Sequence, residues 1–107
     1  MKKGMIKVSV LYPNAAGKAF DIDYYTKKHI PMVTAALGSA LKLIEVEKGL
    51  AGGAPGAPAT YVIMGHLYFE TLEAFQNAFG PQMEKFQADL PNFTKVEPVV
   101  QISEVMM

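Results

Sequence analysis

Tyr61-Val62-Ile63-Met64-Gly65-His66-Leu67-Tyr68-Phe69 decides the fold. The run is almost wholly apolar and rich in β-formers, so it reads as a central strand covered on at least one face. Strand alternation puts Val62, Met64, His66 and Tyr68 on one face and Tyr61, Ile63, Gly65, Leu67 and Phe69 on the other. Just before it, Ala51 to Pro58 is only alanine, glycine and proline, which marks a loop. Residues 50–59 are therefore expected to be a flexible hairpin connection able to act as a lid. Before that loop, Leu41 to Gly49 interleaves apolar residues with Lys42, Glu45, Glu47 and Lys48, the signature of an edge strand. The two strands, edge and central, are joined by that loop.

Outside this hairpin the pattern repeats. Ile6 to Tyr12 alternates, with Ile6, Val8, Val10 and Tyr12 on one face and Lys7, Ser9 and Leu11 on the other. After Pro13, Asn14 and Gly17, Asp21 reads as a helix N-cap, and the Phe20–Tyr25 pair is placed for a hydrophobic staple. That helix should reach Leu37, with Gly38 as its C-terminal cap. Pro31 deprives the Lys27 carbonyl of a donor, so a kink or early break is expected near His29. Downstream, Thr71 caps a short helix carrying Leu72, Phe75 and Phe79. Gly80-Pro81 interrupts it, and a second piece carries Met83, Phe86 and Leu90 before Pro91-Asn92. Pro98 to Val105 is the last strand. The order βαββαβ is that of the ferredoxin-like fold, an α+β architecture with both helices on one face of a four-stranded antiparallel sheet. The other face is left open, and a second copy is the simplest cover for it.

Composition narrows the function classes. The 107 residues suit one domain over 1–107, and half are apolar, enough for a real core. Ten basic residues balance ten acidic ones, which argues against nucleic acid and against an anionic membrane as partners. Cysteine is absent, removing disulfides, thiolate metal sites and cysteine nucleophiles. The apolar stretch after Lys2 and Lys3 is broken by Lys7 and Ser9, so neither a signal peptide nor a spanning segment can be drawn and a cytoplasmic location is expected. Two histidines without metal-ligand spacing imply no metal site. The run Ala51-Gly52-Gly53-Ala54-Pro55-Gly56 lacks the lysine and following helix of a phosphate loop. An RNA-recognition reading fails as well, because Met64-Gly65-His66-Leu67-Tyr68-Phe69 lacks the basic residue and first aromatic of that motif.

Two segments carry a family resemblance. Phe20-Asp21-Ile22-Asp23-Tyr24-Tyr25 with His29-Ile30-Pro31-Met32-Val33 resembles the opening of the EthD (ethyl tert-butyl ether degradation) family. Leu90-Pro91-Asn92-Phe93-Thr94 with Pro98-Val99-Val100-Gln101-Ile102-Ser103 resembles its closing segment. The resemblance implies a homodimeric α/β barrel in which two ferredoxin-like sheets face each other. Its wider superfamily holds lactone isomerases, cofactor-free monooxygenases, polyketide cyclases and haem-handling enzymes, and genes of the family accompany ether-degrading oxygenases. Fold alone does not transfer function.

Three residues are candidates for chemistry. Tyr25, His29, Met32, Val33 and Ala36 share one helical face, so His29 is expected to be half-buried against the sheet, where a neutral imidazole can move protons. Tyr25 is placed to bond it, and Tyr24 to reach a pocket rim. A core histidine tied to a carbonyl or a tyrosine hydroxyl is the alternative. His66 is the third candidate. If the apolar strand faces meet the helices, the mixed faces line the barrel interior, making Ser9, Met64, His66, Tyr68, Gln101 and Ser103 pocket residues beside Tyr24 and Met32. The alternative for His66 is a place in a dimer interface. Asp21 and Asp23 read as helix-start acids, and Glu45 and Glu47 as solvated edge charges.

Two readings follow, and a third behind them. The first is an enzyme or accessory enzyme without a cofactor, isomerising, cyclising or decarboxylating a small apolar organic molecule by proton transfer. The second is a carrier that holds a hydrophobic ligand without chemistry. The third is haem handling through one histidine.

Overall fold

The computed structural model describes residues 3–15 and 17–107. The strands are β1 (Ile6–Pro13), β2 (Leu43–Lys48), β3 (Tyr61–Phe69) and β4 (Val99–Glu104). They form one antiparallel sheet in the order β2-β3-β1-β4, the ferredoxin-like arrangement that βαββαβ implies. The strand read first from the sequence is bounded as expected. The edge strand and the last strand are each shorter than Leu41–Gly49 and Pro98–Val105 by residues at both ends. Pro98 does not shift the register, since Val99, Gln101 and Ser103 pair with Leu11, Ser9 and Lys7.

The first helical segment is one rod with a change of winding. α1 (Ile22–Tyr24) begins at Asp21, whose carboxylate accepts from the Tyr24 N–H at 3.0 Å. The chain then widens into a π turn over Tyr25–His29, closed by the Ile30 N–H on the Tyr25 carbonyl, and continues as α2 (Ile30–Leu37). The anticipated disturbance near His29 is thus a widened turn rather than a break. Pro31 has no N–H for the Lys27 carbonyl, and its ring crowds that carbonyl; a wider turn just ahead of it relieves both. Gly38 ends α2 at φ 59°, a conformation costly for any residue with a Cβ. Phe20 and Tyr25 make the expected staple, their rings 5.3 Å apart edge to face.

The second helical segment is α3 (Leu72–Phe79), capped by the Thr71 hydroxyl on the Ala74 N–H, then a tight turn at Gly80–Gln82, then α4 (Met83–Asp89). Both segments lie on one face of the sheet. Val8, Leu67 and Phe69 from the strands pack against Val33, Leu37, Phe75 and Phe86. A second cluster joins Tyr12, Ile63, Tyr25 and Phe93. Each such side chain stabilises the fold by about 1.5–3 kcal/mol relative to leaving it in water. The helices do not reach over β4. Val100 and Ile102 point to the helical side yet remain 55% and 48% exposed, so the layer between sheet and helices is unfilled there. The loop expected to be flexible carries bonds of its own, Gly52 N–H to Ala57 O at 2.9 Å and Ala57 N–H to Ala54 O at 3.0 Å.

Candidate functional site

The unfilled layer is a cavity of about 640 Å³ between the helices and the β1–β4 side of the sheet. Phe75, Phe79, Met83, Phe86 and Leu90 form the helical wall, and Val10, Leu67, Val100 and Ile102 the sheet wall. Its polar groups are Tyr12, Tyr25, His29, Gln87 and Glu97. An apolar hollow with a few convergent polar groups is the form of a small-molecule site.

His29 is the best-defined of these groups. It is buried, stacked on Tyr25 (ring centroids 5.6 Å, 18° between planes) and tilted against Phe93 at 4.6 Å. The two rings stand at the two ends of the π turn, four positions apart. The Nδ1 atom of His29 lies 2.8 Å from a carboxylate oxygen of Asp89. The second oxygen of Asp89 accepts from the Tyr24 hydroxyl and the Asn92 amide, each at 2.8 Å. Burial by itself would push the Asp89 carboxyl up. Donors from Asn92, His29 and Tyr24, with the His29 charge, outweigh it and hold the carboxyl below its usual range. An ionised Asp89 accepts from Nδ1 when that nitrogen carries the proton, the tautomer in which Nε2 keeps its lone pair.

Tyr12 and Tyr25 differ from Tyr24. Burial raises both hydroxyls well above their ordinary range, in Tyr12 with a further push from Tyr25. At neutral pH a tyrosine is protonated with or without that push, so both hydroxyls can donate. Tyr25 passes its hydroxyl against β3 at Gly65, where an added Cβ would stand 2.6 Å from the oxygen. Gly65 is a glycine because that approach leaves no room for a side chain.

The open face of the sheet carries a separate polar cluster. Ser9 Oγ lies 2.9 Å from His66 Nδ1, and His66 Nε2 lies 3.0 Å from Glu47. The Tyr68 hydroxyl donates to Glu45 at 2.8 Å. Burial and that bond push the Tyr68 hydroxyl up to about 12. Glu45 and Glu47 are exposed, as read from the sequence, but each also holds a buried partner. Gln101 donates to Ser103 at 3.3 Å.

The sequence candidates thus divide between two places. Tyr25 and His29 meet in the cavity. Ser9, Met64, His66, Tyr68, Gln101 and Ser103 lie on the opposite side of the sheet. Tyr25 does not hydrogen-bond His29 but stacks on it. Tyr24 bonds Asp89, and Met32 packs into the core against Val33 and its neighbours. Asp89, Tyr12, Gln87 and Glu97 were not among the site candidates drawn from the sequence. Asp89 is the last residue of α4, 60 positions from His29, and only the packing of α4 on the first helical segment brings the two together. Among the described residues no group of three metal-ligating side chains occurs, and no helix is long and apolar enough to cross a membrane.

Comparison with known proteins fits this architecture. A family model described as the EthD domain matches residues 15–97. A solved EthD-like protein from Ralstonia eutropha JMP134 is 45% identical, with a TM-score of 0.91 over 99% of this chain and 96% of that one. A dimeric protein of unknown function and ferredoxin-like fold from Bacteroides fragilis is 18% identical (TM-score 0.61; 97% and 99% covered). The hydroxynitrile lyase of Passiflora edulis is 15% identical (TM-score 0.61; 97% and 95% covered). These two share the fold. No curated protein sequence matches the chain.

Proposed function

The chain belongs to the EthD family, and from that premise we propose that it is an enzyme, or accessory enzyme, moving a proton on a small apolar organic molecule. The molecule sits in the cavity between helices and sheet. One observation carries the reading: His29 lines the cavity while its Nδ1 is held by Asp89 at 2.8 Å. Nε2 then takes a proton from the bound molecule, Asp89 stabilises the imidazolium, and the same nitrogen returns the proton to another atom of that molecule. An isomerisation or cyclisation balances in this way without a co-reactant. The lyase of the same fold supports the idea that such a framework can host an enzyme, and nothing finer.

The test is deuterium transfer in heavy water, with small ketones and phenols as probes and mass spectrometry as the readout. His29→Ala should abolish incorporation while the far-ultraviolet circular dichroism stays unchanged. Incorporation undiminished in the folded variant overturns the reading. Ligand-dependent thermal stabilisation without any product favours the carrier instead.

The partner we propose for the open sheet face is a second copy. Lys7, Glu45 and Glu47 set both charges beside the exposed apolar side chains of Leu43 and Val99 on that face, which suits a two-fold contact. A fold relative described as dimeric is consistent with this. Sedimentation velocity should give a dimer at micromolar concentration; a monomer at millimolar concentration overturns it.

A further inference from the structure

We propose that the cavity selects an uncharged carbonyl compound and rejects carboxylates, phosphates and sulfates. This rests on the reading that the cavity is the site. The first argument is charge. No lysine is among the residues that line the cavity, and the sequence contains no arginine at all. The fixed negative groups are Glu97 on the wall and Asp89 behind His29. An anion entering there would lose its water and meet carboxylates with no counter-charge. The one group able to become cationic, His29, already faces Asp89.

The second argument is the supply of hydrogen bonds. The hydroxyls of Tyr24 and Tyr68 are taken by Asp89 and Glu45. Those of Tyr12 and Tyr25 belong to rings that line the cavity, with no carboxylate bonded to either among the described residues. Both are protonated at neutral pH. They offer donors, and among uncharged acceptors a carbonyl oxygen is the one that also acidifies the neighbouring C–H, which the proton transfer to His29 requires. Phe75, Phe79 and Phe86 then face the remainder of the molecule, which suits a ring. Proton removal beside the carbonyl by His29 Nε2 moves the C–H electron pair into a new C=C bond. The carbonyl pair moves onto oxygen, where the tyrosine hydroxyls stabilise it.

Three probes of one shape test this: acetophenone, ethylbenzene and benzoate, titrated at pH 7 with NMR signals of His29 and Tyr25 as the readout. Acetophenone should bind at least about tenfold more tightly than either other probe. Tyr25→Phe, and independently Tyr12→Phe, should bring acetophenone towards the affinity of ethylbenzene, leaving ethylbenzene unchanged. Benzoate binding as tightly as acetophenone overturns the charge selection and leaves the role of His29 standing. Acetophenone binding no better than ethylbenzene in the unaltered protein overturns the carbonyl assignment. Binding of none of the three at these signals overturns the cavity as the site and the inference with it.

Discussion

The two histidines sit on opposite sides of one sheet, and each lies within 3.0 Å of a carboxylate. What separates them is the other ring nitrogen. His66 spends both, one on Glu47 and one on Ser9. His29 spends one on Asp89 and turns the rest of its ring to a cavity lined by aromatic side chains. A histidine whose two nitrogens are both satisfied by protein is a strut. A histidine with one nitrogen oriented and one unspent is a base in waiting. Burial does not distinguish them, since they are 6% and 8% exposed.

The largest expected effect is on turnover. His29→Ala should lower it by about 10²–10⁴-fold, whereas His66→Ala should leave it within a few-fold. Equal losses measured in initial rates would dissolve the distinction between strut and base. Next comes Asp89→Asn, which keeps the shape but removes the charge that orients His29. The expected loss is up to about 10⁴-fold, the cost when an amide in place of the orienting carboxylate favours the wrong histidine tautomer.

The same variant sharpens the comparison through pH. The Asp89 carboxyl is lower in the folded chain than its ordinary value of 3.8. Its stabilising contribution is therefore complete above that value and disappears as pH falls through the lower, folded one. Acid titration followed by circular dichroism should show part of the loss of stability below pH 3.8 removed in Asp89→Asn. An unchanged acid limb would mean the carboxylate contributes nothing there.

A third change acts on Tyr25 rather than the histidines. Gly65→Ala places a methyl group 2.6 Å from the Tyr25 hydroxyl oxygen and should cost about 1–3 kcal/mol in chemical denaturation. Because the clash is with that oxygen, adding Tyr25→Phe should recover part of the loss. A strictly additive pair would show that the two do not meet. The smallest effect belongs to the open face. Glu47→Gln should change stability by less than about 1 kcal/mol, because Glu47 is half in water. A larger loss would make His66 more than a strut.

Much of the fold was legible in short-range signals. Asp21, Thr71 and Gly38 act as caps because capping is a contact within one turn, and the alternation in β1 and β3 assigns their faces correctly. Pro31 announced a disturbance, but not that the chain would answer with a π turn, since a break and a widened turn relieve the same missing bond and ring crowding. Half the site was legible, as Tyr25 and His29 share a helical face. The other half was not. Polarity pointed to the mixed face of the sheet, which carries a hollow of about 290 Å³ beside Lys7, Tyr68 and Ser103, and gave no sign of the larger one on the apolar face. The cause is that α3 and α4 stop short of β4, a matter of helix placement that no local pattern encodes. Asp89 was hidden for the same reason.

The pleat of β1 has one more consequence. Val10 and Tyr12 serve the cavity, while Lys7, Ser9 and Leu11 serve the open face, residue by alternate residue on a shared backbone. A substitution at Val10 or Tyr12 can therefore change the cavity wall alone, and one at Lys7, Ser9 or Leu11 the open face alone. A single-residue deletion in the strand has no such freedom, because it exchanges the two sets of side chains at once.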